Sequence, residues 1–316
     1  MSTPAWPPVR APGKVFLAGE YGVLVGGPAL VMAVRRFARL AGTHDRPATP
    51  FEREGLARLE AAGVTLPGGL PTVEAAELRD AGGVKLGLGS SAAWSAAVTL
   101  SALLAGRRPE AASPEACWPL AHAVHGGGSG ADVASCLAGG VIRFERRPGE
   151  AHATIERRDL PGASLPLVIH GGRAVSTART LSALRGEEHQ RLLEEAARVG
   201  AALCEALLAG DPAGIREGVR ESAARIEALG GAAGLGEDTG SEVVAAVDRA
   251  LRPFGGAAKP SGASGAELVL AYVPGVESDD RDAVSRRLSE QGLQVLDLPV
   301  APDGAAPLEP TTITDP

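Results

Sequence analysis

The sequence predicts an α+β fold in two parts, on three observations. Strand-like apolar runs and helical stretches alternate along the chain without the regular beat of a βα barrel. A turn-rich, charged segment, Arg146–Ala163 (RRPGEAHATIERRDLPGA), separates a glycine-rich first half from a second half carrying two long helical stretches. The chain, at 316 residues, is long enough for one large or two modest cores. The division is placed at residue 160, giving parts 1–160 and 161–316.

In chain order, Val15–Ala18 (VFLA) and Ala29–Val34 (ALVMAV) read as strands, with Gly26–Pro28 as the turn between them. The polar stretch 43–50 is a loop, and Glu52–Ala62 has helical spacing. Ser91–Ala105 is the strongest helix of the first half, because it is a run of helix formers. Pro114–Val124 is a second helix that stops at Gly126–Gly128, and Ala131–Ala138 opens another. Val141–Phe144 and Leu165–His170 read as strands. Gly186–Leu208 and Ala213–Leu229 repeat apolar residues every 3–4 positions and read as helices. Glu267–Val273 is a strand, Asp279–Gln291 a helix and Leu293–Leu298 a last strand. The proline-rich tail after Pro302 is expected to be loosely attached.

Hydrophobic residues make up 45% and charged residues 22%, the balance of a soluble globular protein. A net charge of -7 argues against a general nucleic-acid binder, which carries a basic excess. It does not exclude an anionic small molecule, since local lysines set the sign of one pocket. Cys117, Cys136 and Cys204 form no CxxC pair, which fits a reducing compartment without structural zinc. The opening MSTPAWPPVRAPGK has no apolar core of signal-peptide length, and no run of about 18 apolar residues occurs. The expectation is therefore a cytoplasmic protein without a membrane partner.

The segment Val84–Ala93 (VKLGLGSSAA) carries the most chemistry. Gly87 and Gly89 permit open or left-handed backbone close to a ligand, and a helical run follows Ser90 and Ser91. The N-terminus of such a helix aims N–H groups and a positive dipole end at an anion. The serine hydroxyls could cap the helix, touch a phosphate or ligate a metal ion; an ordinary glycine loop entering a buried helix is the plain alternative. No GxxxxGK[ST] occurs, no GxGxxG follows a strand, and there is no GxSxG elbow. His122 and His125 form an HxxH pair without the neighbouring glutamate of a zinc protease, and read as helix-surface or packing residues. Asp132, in the glycine-rich GGGSGAD, is an exposed carboxylate or a dipole-stabilised helix start. Lys14 by itself is a solvated strand-end cation.

Three segments, Ala11–Gly27 (APGKVFLAGEYGVLVGG), Lys85–Ala93 (KLGLGSSAA) and Lys259–Glu267 (KPSGASGAE), together resemble the GHMP kinases in order and spacing. These small-molecule kinases include galactokinase, homoserine kinase and mevalonate kinase. The resemblance runs from Ala11 to Tyr272. Within the family, GEY at Gly19–Tyr21, the lysine ahead of GLGSSAA, and Gly128–Ser135 (GSGADVAS) resemble the phosphomevalonate kinases. Mevalonate kinases carry NPSGVDN in the last position and a metal-binding glutamate eleven residues before the aspartate, where this chain has Ala121. The third motif departs from the usual SGAGGGD at Ser264, Ala266 and Glu267, while Gly262 and Gly265 remain.

The resemblance implies a ribosomal-protein-S5-like N-terminal domain and a ferredoxin-like C-terminal domain, with ATP and Mg2+ as cofactors. It implies transfer of a phosphoryl group to (R)-5-phosphomevalonate. Mevalonate kinase, or another small-molecule kinase of the family, is the alternative, and a non-catalytic binding protein on the same fold a more distant one. Asp132 would orient and deprotonate the acceptor oxygen, and Lys14 would stabilise charge on the transferring group. ATP would lie against Lys85, Gly87, Leu88, Gly89, Ser90, Ser91 and Ala92, with the Ser91 hydroxyl on the metal side. The acceptor would meet Glu20, Tyr21, Ser129, Gly130, Arg173, Ser176, Lys259, Ser261 and Gly262. A small anionic substrate is the expected partner, and a homodimer is compatible with the family.

Overall fold

The computed structural model describes residues 5–108, 113–171, 187–234, 241–262, 267–273 and 278–308. Two antiparallel sheets organise it. Strands β1 (Val9–Ala18) and β2 (Ala29–His44) form the long central hairpin of the first. β4 (Val141–Glu145) and β5 (Thr154–Arg158) continue it beyond β2, which also pairs with β3 (Leu70–Glu74). The second sheet has the order β7 (Ala257–Ser261), β8 (Leu268–Tyr272), β6 (Leu167–His170), β9 (Gln294–Leu296).

Helices α2 (Ser90–Ala105) and α4 (Ala131–Ala138) cover the first sheet, and α3 (Pro114–His125) packs on both of them. Helix α2 is buried all round from Ala92 to Leu103, as expected of a central helix whose residues are apolar or small on every face. Helix α1 (Pro50–Ala61) starts at a full capping box, in which the Thr49 and Glu52 side chains each accept from the other's backbone N–H. On the other side, α5 (Glu187–Ala209) and α6 (Pro212–Ala232) pair and pack on the central hairpin and β7, respectively. Helices α7 (Ser241–Leu251) and α8 (Ser278–Glu290) cover the outer face of the second sheet.

Strand β8 shows how the two sheets share a core. Leu268, Leu270 and Tyr272 face the large cluster around the first sheet, while Val269 and Ala271 face α7 and α8. That alternation is the period-two geometry of a strand buried on both sides. Polar groups stitch the same seam. Ser261 donates to the Phe16 carbonyl (2.9 Å), the Tyr272 hydroxyl to the Leu17 carbonyl (3.0 Å), and Lys259 to Glu20.

The α+β class follows from the sequence, but several elements differ from its reading. β2 runs ten residues beyond Val34, because Ala38 and Leu40 alone keep it on the core while its other side chains face out. β5 reads as charged linker in sequence because it is an edge strand with little burial. β7 contains Pro260, and α7 carries three valines, so local propensity hides both. The tail is not loose up to residue 308. Ala301 is buried and exchanges backbone bonds with Ala33 and Gly140, Ala305 donates to the Cys136 carbonyl, and β10 (Ala306–Pro307) pairs with β1.

Candidate active site

A cavity of about 480 Å³ opens where the central hairpin, the start of α2, the α3–α4 turn and the second sheet meet. One wall is the loop before α2. Gly89 takes φ 75° as the N-cap, so neither serine is the cap; Ser90 and Ser91 are the first helical residues. Among the described residues no side chain caps this end. The first N–H groups of a helix have no acceptor within it, so these donors face the cavity with the dipole behind them.

The two loop glycines are required by what lies over them. A Cβ on Gly89 would stand 2.7 Å from Lys14 Cε, and one on Gly87 would stand 2.8 Å from Glu267 Oε2. Lys14 is therefore laid across the loop, its backbone N–H bonded to the Leu88 carbonyl at 2.9 Å and its Nζ 3.5 Å from the Gly87 carbonyl. It is a buried cation at the centre of the wall, not a solvated strand end. Lys85 stands exposed at the rim.

Opposite, α3 ends at His125 and α4 begins after Gly130, again without a side-chain cap among the described residues. Asp132 sits in the first turn of α4 and accepts from the Val133 N–H at 2.9 Å through Oδ1, leaving Oδ2 for the cavity. Buried Ser129 accepts from the Ala131 N–H at 3.3 Å. His125 Nε2 lies 3.3 Å from Ser91 Oγ and 3.7 Å from Asp132 Oδ2, and Nδ1 lies 3.2 Å from the Gly127 carbonyl. Ser91 Oγ and Asp132 Oδ2 thus flank one ring. They are hard oxygen donors on the cavity wall, beside uncapped N–H groups, which suits magnesium held by few protein ligands together with phosphates.

Of the residues expected from sequence, Lys14, Glu20, Tyr21, Lys85, Gly87, Leu88, Gly89, Ser90, Ser91, Ser129, Asp132 and Gly262 line this cavity. Ala92 is buried within α2, and the Gly130 carbonyl faces inward to accept from Trp118 Nε1 at 2.9 Å. Lys259 and Ser261 are buried in the inter-sheet seam, where Lys259 holds Glu20 instead of meeting the cavity. Burial pulls the Lys259 ammonium down from its ordinary value, against the upward pull of Glu20. Arg173 and Ser176 lie outside the described residues, as do Ser264, Gly265 and Ala266. Tyr21 takes φ 60° at the cavity edge, a strained backbone for a non-glycine residue.

Two titratable cavity residues were not legible as such. His125 reads as half of an HxxH pair, yet its position directly before GGGSGAD was a usable signal. Glu267 reads as a motif departure, and its carboxylate packs on Gly87. Burial raises that carboxyl above its ordinary value, while Lys14, Lys85 and His170 pull it back. Ala121 is fully buried in α3, so that position faces the core.

His122 is the packing residue of the pair. Its ring stacks on Trp118 at 5.1 Å, its buried Nδ1 has no hydrogen-bond partner among the described residues, and burial lowers its pKa to about 4. Below its ordinary 6.5 the unfolded chain binds a proton that the folded chain refuses, so stability falls as pH drops from 6.5 to 4. His122→Gln is expected to flatten the fall in stability over that window by about 2 kcal/mol, followed by thermal unfolding at stepped pH. An unchanged pH slope would contradict the assignment.

No family model matches the chain. It is 28% identical to a phosphomevalonate kinase from Streptomyces sp. (strain CL190), over 93% of this chain and 96% of that one. Among solved structures, a Lin0012 protein from Listeria innocua superposes with a TM-score of 0.76 at 23% identity, covering 96% of this chain and 99% of that one. Streptococcus pneumoniae phosphomevalonate kinase, solved with phosphomevalonate and AMPPNP, gives 0.72 at 19% identity, covering 93% and 99%. A mevalonate kinase and a galactokinase share the fold as well.

Proposed function

The chain has the fold of the GHMP kinases, and on that basis we propose that it transfers the γ-phosphoryl group of ATP to (R)-5-phosphomevalonate, giving the 5-diphosphate. The observation that carries this reading is the shared cavity. It sets an uncapped helix start and a buried lysine across from Asp132. We keep the division at residue 160, with the first part binding nucleotide and residues 301–308 returning to its sheet.

In this mechanism the N–H groups at Gly89–Ala92 hold the nucleotide phosphates, and Lys85 at the rim neutralises anionic charge as it enters. When bound, magnesium would sit by Ser91 Oγ and the nucleotide phosphates and screen the negative charge between them. An acceptor phosphate oxygen forms the new bond to the γ-phosphorus as the bond to the bridging oxygen breaks, and the electron pair leaves with ADP. Lys14 compensates the charge on the transferring group, and Asp132 orients the acceptor. A phosphate monoester is already largely ionised near neutral pH, its second pKa being about 6. The base is then less demanding, and charge neutralisation carries more of the rate.

The test is ADP release with ATP and magnesium, comparing 5-phosphomevalonate with mevalonate. A kcat/KM preference of at least about a hundredfold for 5-phosphomevalonate is expected, because a site built for a phosphate is left unpaired by an alcohol. Preference for mevalonate would overturn the acceptor assignment. Nucleotide binding without turnover on any family acceptor would overturn the kinase assignment.

A further inference from the structure

His125 lies outside every role assigned above, yet its ring joins the two halves of the cavity wall. It is the last residue of α3, about one-fifth exposed by its side chain (18%), with Phe51 packed edge-on at 6.4 Å. Its Nδ1 stands 3.2 Å from the Gly127 carbonyl, which can only accept, so Nδ1 carries the hydrogen. In the neutral ring with that tautomer, Nε2 presents a lone pair. Two groups face that lone pair, Ser91 Oγ at 3.3 Å and Asp132 Oδ2 at 3.7 Å. The carboxylate has no proton to give, so the Ser91 hydroxyl is the donor.

A hydroxyl rotor is set by its acceptor. With its hydrogen drawn to His125, Ser91 turns its lone pairs toward the cavity. Left free, the same hydroxyl could turn its hydrogen there and repel a cation. We propose that His125 is a positioning residue: it fixes the Ser91 hydroxyl as an oxygen ligand, so that the site favours metal-bound over metal-free nucleotide. This inference rests on the kinase reading above. The second contact, to Gly127, anchors the turn before α4 and is a separable, structural role.

Two substitutions separate these roles. The Oε1 of His125→Gln falls near Nε2 and keeps an acceptor for Ser91, while Nδ2–H of His125→Asn falls near Nδ1 and keeps the Gly127 bond. The full chain is titrated with a fluorescent N-methylanthraniloyl ATP, with magnesium and with EDTA, and the ratio of the two Kd values is read. Thermal unfolding confirms that each variant is folded. His125→Asn should lower the ratio about fivefold, the worth of one hydrogen bond. His125→Gln should stay within about twofold of the parent, and in a Ser91→Ala background His125→Asn should add nothing, as coupled residues behave in a double-mutant cycle. The inference is overturned if Asn keeps the ratio while Gln loses it, if both Kd values shift equally, or if the Asn effect persists without Ser91. A parent protein whose nucleotide binding is indifferent to magnesium would overturn the kinase reading itself.

Discussion

Lys14→Met is expected to lower kcat toward 5-phosphomevalonate by about a thousandfold, the scale of losing a preorganised charge at the transferring group. Asp132→Asn should cost no more than about a hundredfold, the lower end of general-base contributions. The order follows from the acceptor. An ionised phosphate oxygen needs alignment and shielding more than deprotonation, and Lys14 is the buried cation laid over the loop, with Nζ 3.5 Å from the Gly87 carbonyl. Methionine keeps the unbranched stem that packs on Gly89, so the loop geometry should survive. Steady-state kinetics on both variants, with their Tm values, decide the matter. Near-normal turnover in Lys14→Met, or a heavier loss in Asp132→Asn, would contradict this division of labour.

Lys259→Met should be the most destabilising single change in the site's surroundings, costing about 3–5 kcal/mol. Lys259 is fully buried on β7 and bonded to both Glu20 and the Pro260 carbonyl. Removing it leaves the Glu20 carboxylate in the wall without its counter-charge. At roughly 2–4 °C per kcal/mol for a chain of this size, Tm should fall by about 10 °C. The double variant Glu20→Leu/Lys259→Met should recover most of that loss, since replacing a whole buried pair by apolar groups is often close to neutral. A double variant as unstable as Lys259→Met would show that the lysine acts through something other than Glu20.

What could be read from the chain alone follows from the range of each interaction. The loop Lys85–Ser91 and the start of α4 at Asp132 are local: glycine, small residue and helix run adjoin in sequence. Their facing one another across a cavity is not local. The Lys259–Glu20 pair spans 239 positions, and no spacing in either segment points to the other. As a result Lys259 reads as a substrate contact, although its side chain is spent on holding the wall. His125 was hidden differently, by a histidine pair whose first member packs on Trp118 while the second turns into the site. The tail misled because proline-rich composition speaks of the chain itself, whereas the free edge of β1 that receives it lies about 300 positions away.

The most direct measurement is the ³¹P NMR spectrum of the product formed from ATP, magnesium and 5-phosphomevalonate. Phosphoryl transfer to this acceptor predicts loss of its monoester singlet and growth of a pair of mutually coupled doublets, the signature of a new phosphoanhydride, in step with ADP. An unchanged monoester singlet while ATP breaks down to inorganic phosphate would contradict it.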